Sequence, residues 1–140
     1  MMRILGIDPG LRHTGYGLVD LNESSTHPAL VEAGVIRVPQ RGPLGDRLAS
    51  LHDDLDALIE QMAPGLAVVE TVFAHRNRAQ TAMQMGHARG VILLAAARRS
   101  IPLDELAPAA IKRAVAGHGR ADKTQVQHAV AAQLGLSEPP

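Results

Sequence analysis

RILGIDPGLRHTGYGLV, from Arg3 to Val19, decides the fold. Arg3–Ile7 reads as a buried strand whose aliphatic run closes on an acid, Asp8, followed at once by Pro9 and Gly10. A carboxylate at the tip of an apolar strand loses hydration, which is unfavourable unless something cationic compensates. Gly10 predicts a turn, and Thr14–Asp20, with Gly15 and Gly17, predicts a second strand running back. Ala33–Val38, bounded by Gly34 and Pro39, is a third. Three such strands in succession predict an antiparallel meander.

Beyond the meander the period changes. Leu44, Leu48, Leu51, Leu55, Leu58, Ile59 and Met62 recur three and four residues apart, with Asp53, Asp54 and Asp56 between them. That is a helix with one apolar face, stopped by Pro64 and Gly65. Leu66–Val69 is a short apolar strand closing on a second acid, Glu70. From Asn77 to about Arg99 a second helix is expected. Its Ala82, Gly86 and Gly90 form a small-sided stripe suited to close approach, either by another part of the chain or by a second copy. Ile101–Leu106 predicts a further strand, and Pro108 opens a short helix to Val115. After the break at GHGRAD, Asp122 with Gln125 forms a capping box for a last helix to Leu134, with Gly135 after it. Three strands, a helix, then alternating strand and helix make an α/β chain with a mixed sheet.

The 140 residues suffice for one domain with a real core. With no cysteine, disulfides and thiolate metal sites are excluded. The first acid comes too early for a signal peptide and no apolar run approaches a membrane span, so the expected location is cytoplasmic. The zero net charge hides an asymmetry. Residues 1–70 carry 5 Lys/Arg against 10 Asp/Glu (−5), and residues 71–140 carry 9 against 4 (+5). Thr71–Leu103 holds five arginines and no acid, which fits either a polyanionic partner or a solvated helix face.

Asp8 and Glu70 share a position, each the last residue of an aliphatic strand. Adjacent strands of one sheet can bring their carboxyl ends together, where ligands gather. Two carboxylates there repel unless they share a hard cation such as Mg²⁺ or Mn²⁺, and otherwise they are unrelated loop acids. Metal ions held by carboxylates suit phosphodiester hydrolysis, for which the basic half of the chain could hold the substrate.

GIDPGLRHTGYG, VVETVF, MGHARG and RADKTQVQHAV occur here in one chain and in that order. Together they resemble the RuvC family of bacterial Holliday junction resolvases, over about Arg3 to Pro139. The resemblance implies a ribonuclease H-like fold and a homodimer that binds four-way junction DNA. It also implies paired symmetric nicks by a Mg²⁺-dependent (or Mn²⁺-dependent) endonuclease, leaving a 5′-phosphate and a 3′-hydroxyl. The family's branch-migration motor complex, RuvA and RuvB, comes with it as a further partner. On this resemblance Asp8 and Glu70 are catalytic metal-binding acids, and Phe73 is the aromatic that enters the branch point. Lys112 and Lys123 are the basic residues near the scissile phosphate. The family completes its metal site from a later helix bearing further acids. Here the sequence closes on LSEPP, so the expectation is a single nuclease domain over residues 1–140 without that helix.

The remaining residues divide by chemistry. Phe73 and Tyr16 are the only aromatics; Phe73 suits base stacking or a core position, and Tyr16 is read as structural. His75, Arg76, Asn77 and Arg78 follow Phe73 as a polar cluster suited to phosphate contacts. Lys123 lies in the first turn of a helix, where the dipole disfavours a cation. Alternatives to the junction nuclease are a junction-binding module that does not cleave and a nuclease of the related YqgF type. An actin-like ATPase, with DPGLRHTG as its phosphate loop, is the least favoured alternative, because 140 residues cannot hold its duplicated domain and second glycine-rich loop.

Overall fold

The computed structural model describes residues 1–140 except Thr26, residues 72–78, His118 and Pro139. Five strands form one sheet in the order β3-β2-β1-β4-β5: β1 (Met2–Asp8), β2 (His13–Leu21), β3 (Ala29–Arg37), β4 (Leu66–Glu70) and β5 (Leu103–Leu106). The first three are an antiparallel meander, and β4 and β5 add in parallel beyond β1. The expected mixed α/β sheet is therefore present. β1, at its centre, has a partner on each side.

Strand alternation assigns the two faces. Leu5 and Ile7 of β1, Leu18 of β2, Ile36 of β3, and Ala67 and Val69 of β4 are buried on one face. Two helices cover it: α1 (Leu44–Met62) and α2 (Ala79–Arg98). α1 buries Leu51, Leu55, Leu58 and Ile59, the stripe that its leucine spacing predicts. It ends where Ala63 turns left-handed and donates its amide to Ile59 O at 2.9 Å. α2 buries Ala88, Ile92, Ala95 and Ala96, and its three alanines let it lie close to its neighbours. Away from the acids, Arg3 grips Asp20 with two bonds of 2.8 and 3.0 Å and donates to Met62 O at 3.0 Å. That pairs the meander with the end of α1 and holds the Asp20 carboxyl below its ordinary range.

The other face is different in kind. Ile4, Gly6 and Asp8 of β1 lie opposite Val19, Gly17 and Gly15 of β2, so three glycines leave backbone bare at its centre. Two short helices stand beside it, α3 (Pro108–Ala116) and α4 (Lys123–Leu134). Asp122 caps α4 in the predicted capping box, accepting from Gln125 N at 2.8 Å. No described helix is long and apolar enough to cross a membrane.

β3 starts at Ala29, four residues before the sequence reading placed it. It is an edge strand whose exposed residues carry little apolar alternation, and its length follows from pairing with β2. The predicted close approach along Ala82, Gly86 and Gly90 is not made among the described residues. Gly86 and Gly90 face open space, and among the described residues nothing lies within 4 Å of a Cβ built on either.

Candidate active site

Parallel pairing places Ile7 of β1 beside Val69 of β4, so the next residues, Asp8 and Glu70, leave the sheet side by side on the glycine-rich face. Across β2, Asp8 faces Gly15, where a Cβ would stand 3.8 Å from that of Asp8. The space beside the carboxylate is kept by an absent side chain. The turn after Asp8 is tied by buried Thr14, whose Oγ1 donates to Gly10 O at 2.8 Å and accepts from Gly10 N at 3.2 Å.

The charges bear this arrangement out. Burial pushes the Glu70 carboxyl above its ordinary value, the negative charge of Asp8 and a hydrogen bond to it push the same way, and the Lys112 ammonium opposes them. Glu70 therefore feels both the charge of Asp8 beside it and that of Lys112 on α3. Asp8 itself is exposed. The loss of hydration expected at Asp8 falls instead on Glu70, which is half-buried.

A cleft of about 690 Å³ opens beside the two acids. Its walls are Gly6, Gly17 and Val68 of the sheet, Ile111 and Val115 of α3, and Val130 of α4, and Pro140 lies at its lining too. The cleft is mainly apolar and the acids sit at its rim.

Of the other expected site residues, Lys123 stands exposed in the first turn of α4, with no described contact to the acids. Phe73, Arg76, Asn77 and Arg78 lie outside the described residues. Tyr16 is structural, as read. Its hydroxyl donates to Glu32 Oε2 at 3.1 Å, and its ring crosses Gly34 so closely that a Cβ there would meet the Tyr16 oxygen at 2.8 Å. Sequence reading missed His13, on the same face as Asp8, and Arg37, its cross-strand partner. The available signal was parity: His13 is two residues from Gly15, the residue opposite Asp8.

Among the described residues no three His, Asp or Glu side chains gather as a metal cage. Two adjacent carboxylates nonetheless fit a hard cation of the Mg²⁺ kind, which takes one or two carboxylates, substrate phosphates and several waters.

Two strand-tip carboxylates on a β3-β2-β1-β4-β5 sheet with helices on its flanks define a nuclease of the ribonuclease H-like class. The sequence profile of the family described as Crossover junction endodeoxyribonuclease RuvC matches residues 4–140. The chain belongs to that family. RuvC of Halorhodospira halophila is 49% identical over 140 residues, which are 100% of this chain and 81% of the relative. RuvC of Chloroflexus aurantiacus is 45% identical over 139 residues, 99% of this chain and 83% of the relative. In three dimensions the chain is similar to Thermus thermophilus RuvC, solved in complex with a Holliday junction substrate. The TM-score is 0.91 at 31% identity, covering 100% of this chain and 84% of that one. The chain is a DNA-hydrolysing nuclease by this kinship, and nucleases of this family are metal-dependent.

Proposed function

We propose that this nuclease resolves four-way DNA junctions as a symmetric pair of subunits, using Mg²⁺, with Mn²⁺ able to stand in. The observation that carries the reading is the parallel register that sets Asp8 and Glu70 at adjacent strand tips, within the electrostatic reach of Lys112. Asp8 and Glu70 would hold the cation, which when bound supplies an acidified water and charge stabilisation at the scissile phosphate. The chain's own contribution is to fix the geometry. Gly15 leaves room at Asp8, Thr14 locks the turn behind it, and Lys112 adds positive charge on the side of Glu70. The products would be a 5′-phosphate and a 3′-hydroxyl.

We read residues 1–140 as one nuclease domain whose metal site is completed by a further acid-bearing helix. Supporting this are the apolar cleft beside the acids and the bare backbone of Gly6 and Gly17 on which a helix could lie closely. Pairing of two subunits is supported by α2, where Gly86 and Gly90 are open and Met83 and Leu94 are 64% and 51% exposed. Cooperation with a RuvA and RuvB motor, and action in the cytoplasm, rest on the family alone.

The test is nicking of a labelled four-way junction, beside a linear duplex of the same sequence, in Mg²⁺ and in EDTA. With the acid-bearing helix present, paired nicks in the junction alone, and only in Mg²⁺, are expected. Tight binding with no nick, even after an acid-bearing segment is appended, would favour the non-cleaving junction-binding module.

Two variants probe the DNA side. Lys112→Ala and Lys123→Ala should each lower the slope of log affinity against log salt by about one if they contact phosphate. An unchanged slope for either would return it to the solvated surface. Phe73 follows Glu70 by three residues and is proposed to wedge into the branch point, where base stacking on its ring would be worth about 1–3 kcal/mol. Phe73→Ala should then impair junction cleavage with little change in melting temperature. A core phenylalanine would instead lose about 3–5 kcal/mol of folding free energy on the same change.

A further inference from the structure

The basic half of the sequence is not the only source of positive charge near the acids. On the glycine-rich face, Asp8 is opposite Gly15, and His13 follows two positions along β2 on the same side. His13 pairs with Arg37 of edge strand β3, and Arg37 Nη1 lies 3.1 Å from His13 Nε2. Arg12, the next residue, is exposed and donates from Nε to Gln40 Oε1 at 3.3 Å, which leaves its terminal N–H groups outward. Arg41 is exposed beside Gln40. No described carboxylate comes within ion-pair distance of Arg12, Arg37 or Arg41, although Glu32 and Asp54 line a separate cleft with Arg37.

The loop that carries these cations is held, not loose. Val38 N donates to Arg12 O at 2.9 Å, and Gln40 Nε2 donates to Leu11 O at 3.2 Å and Val38 O at 2.8 Å. Arg47 Nε binds Pro39 O at 2.6 Å. Cations fixed in place and free of counter-acids are suited to phosphate oxygens, since little side-chain order is lost on contact.

We infer that His13, Arg37, Arg12 and Arg41 form a second phosphate track, which holds the DNA backbone leading away from the acids over the meander. The inference rests on the junction-nuclease reading and adds the course of the DNA: Lys112 approaches the acids from the α3 side and this track from the opposite side. Strands lie about 4.8 Å apart, so Arg37 stands two strands, or about 10 Å, from β1. With phosphates following one another about 3.4 Å apart along the axis of each strand, the track meets the backbone a few nucleotides from the scissile bond. DNA is the occupant by charge: the track is cationic, and its His13 shares the face of the sheet that carries Asp8.

The experiment is a titration of a labelled four-way junction by the full chain in EDTA over a range of salt. Variants are Arg12→Gln, Arg37→Gln, both together, and Arg98→Gln at the far end of α2 as a distant cation. Each track variant should weaken binding about fivefold near 0.15 M salt and lower the salt slope by about one, the double variant by about two. Arg98→Gln should bind like the parent, and all should melt like the parent. A double variant with parental affinity and slope overturns the track while leaving the junction reading intact. A parent that does not bind the junction overturns both.

Discussion

Asp8→Asn and Glu70→Gln, each made in the protein whose metal site is completed by the acid-bearing helix, are expected to abolish junction nicking in Mg²⁺, by about a thousandfold or more, while junction binding in EDTA is kept or slightly strengthened. Both side chains keep their size and lose one charge. A hard divalent cation held by carboxylates and phosphate oxygens loses one of its few anionic protein ligands, and the several kcal/mol it contributes at the transition state go with it. Each 1.36 kcal/mol is about tenfold in rate. Binding moves the other way, because removing an anion beside a polyanion lowers repulsion. A second readout separates a metal site from a mere pair of acids. Burial and Asp8 together raise the Glu70 carboxyl, so the ionised pair is a strain on the folded state that grows as pH rises through the Glu70 titration. At neutral pH in EDTA, Asp8→Asn should therefore melt higher than the parent, by about 1–3 °C given the exposure of Asp8. Mg²⁺ should raise the melting temperature of the parent more than that of the variant. Near-parental nicking by either variant would remove both acids from the chemistry.

Gly10→Ala should have the largest effect on the fold for the smallest change in mass. A methyl group on Gly10 would run into the main-chain carbonyl of His13. That carbonyl cannot easily retreat, because Arg12 O accepts Val38 N at 2.9 Å and Leu11 O is held by Gln40. Gly10 is also bound through both its amide and its carbonyl to Thr14. The displacement would pass into Pro9 and Asp8. We expect a loss of about 2–3 kcal/mol, or roughly 6–12 °C in melting temperature, with nicking reduced further because Asp8 is re-aimed. Gly45→Ala in the first turn of α1, where an added Cβ meets nothing within 4 Å, is the contrast. It should be neutral or stabilise by about 0.4–1 kcal/mol. If Gly10→Ala melts within a degree of the parent, the turn does not set the position of Asp8.

The acids were legible because each closes a run that has to be a strand, and a strand end in a sheet is a place where ligands collect. The sequence could not say that β4 lies directly against β1, since the parallel register is set by packing across α1 rather than by any local residue. α1 itself was plain from its leucines, and so was the cap of α4. The edge strand β3 was read four residues too short, because a strand paired on one side and exposed along most of its length shows little apolar alternation. The charge count by halves was accurate and misleading together. Residues 1–70 are acidic in sum largely because Asp46, Asp53, Asp54, Asp56 and Glu60 lie on α1, behind the sheet, whereas Arg12 and Arg41 stand exposed in the loops beside the ends of β2 and β3. Charge summed along a chain loses the side of the sheet on which each residue falls.

The pairing of β1 with β4 has a consequence for how the enzyme comes into being. Asp8 belongs to a meander of sequential hairpins, whose contacts are local and quickly made. Glu70 arrives only when β4, after the whole of α1, closes on the far edge of β1. A chain that has formed the hairpins alone carries a single carboxylate and no place for a cation between two. The two-acid site thus depends on the least local pairing in the sheet, and a chain that has formed only the hairpins does not hold it.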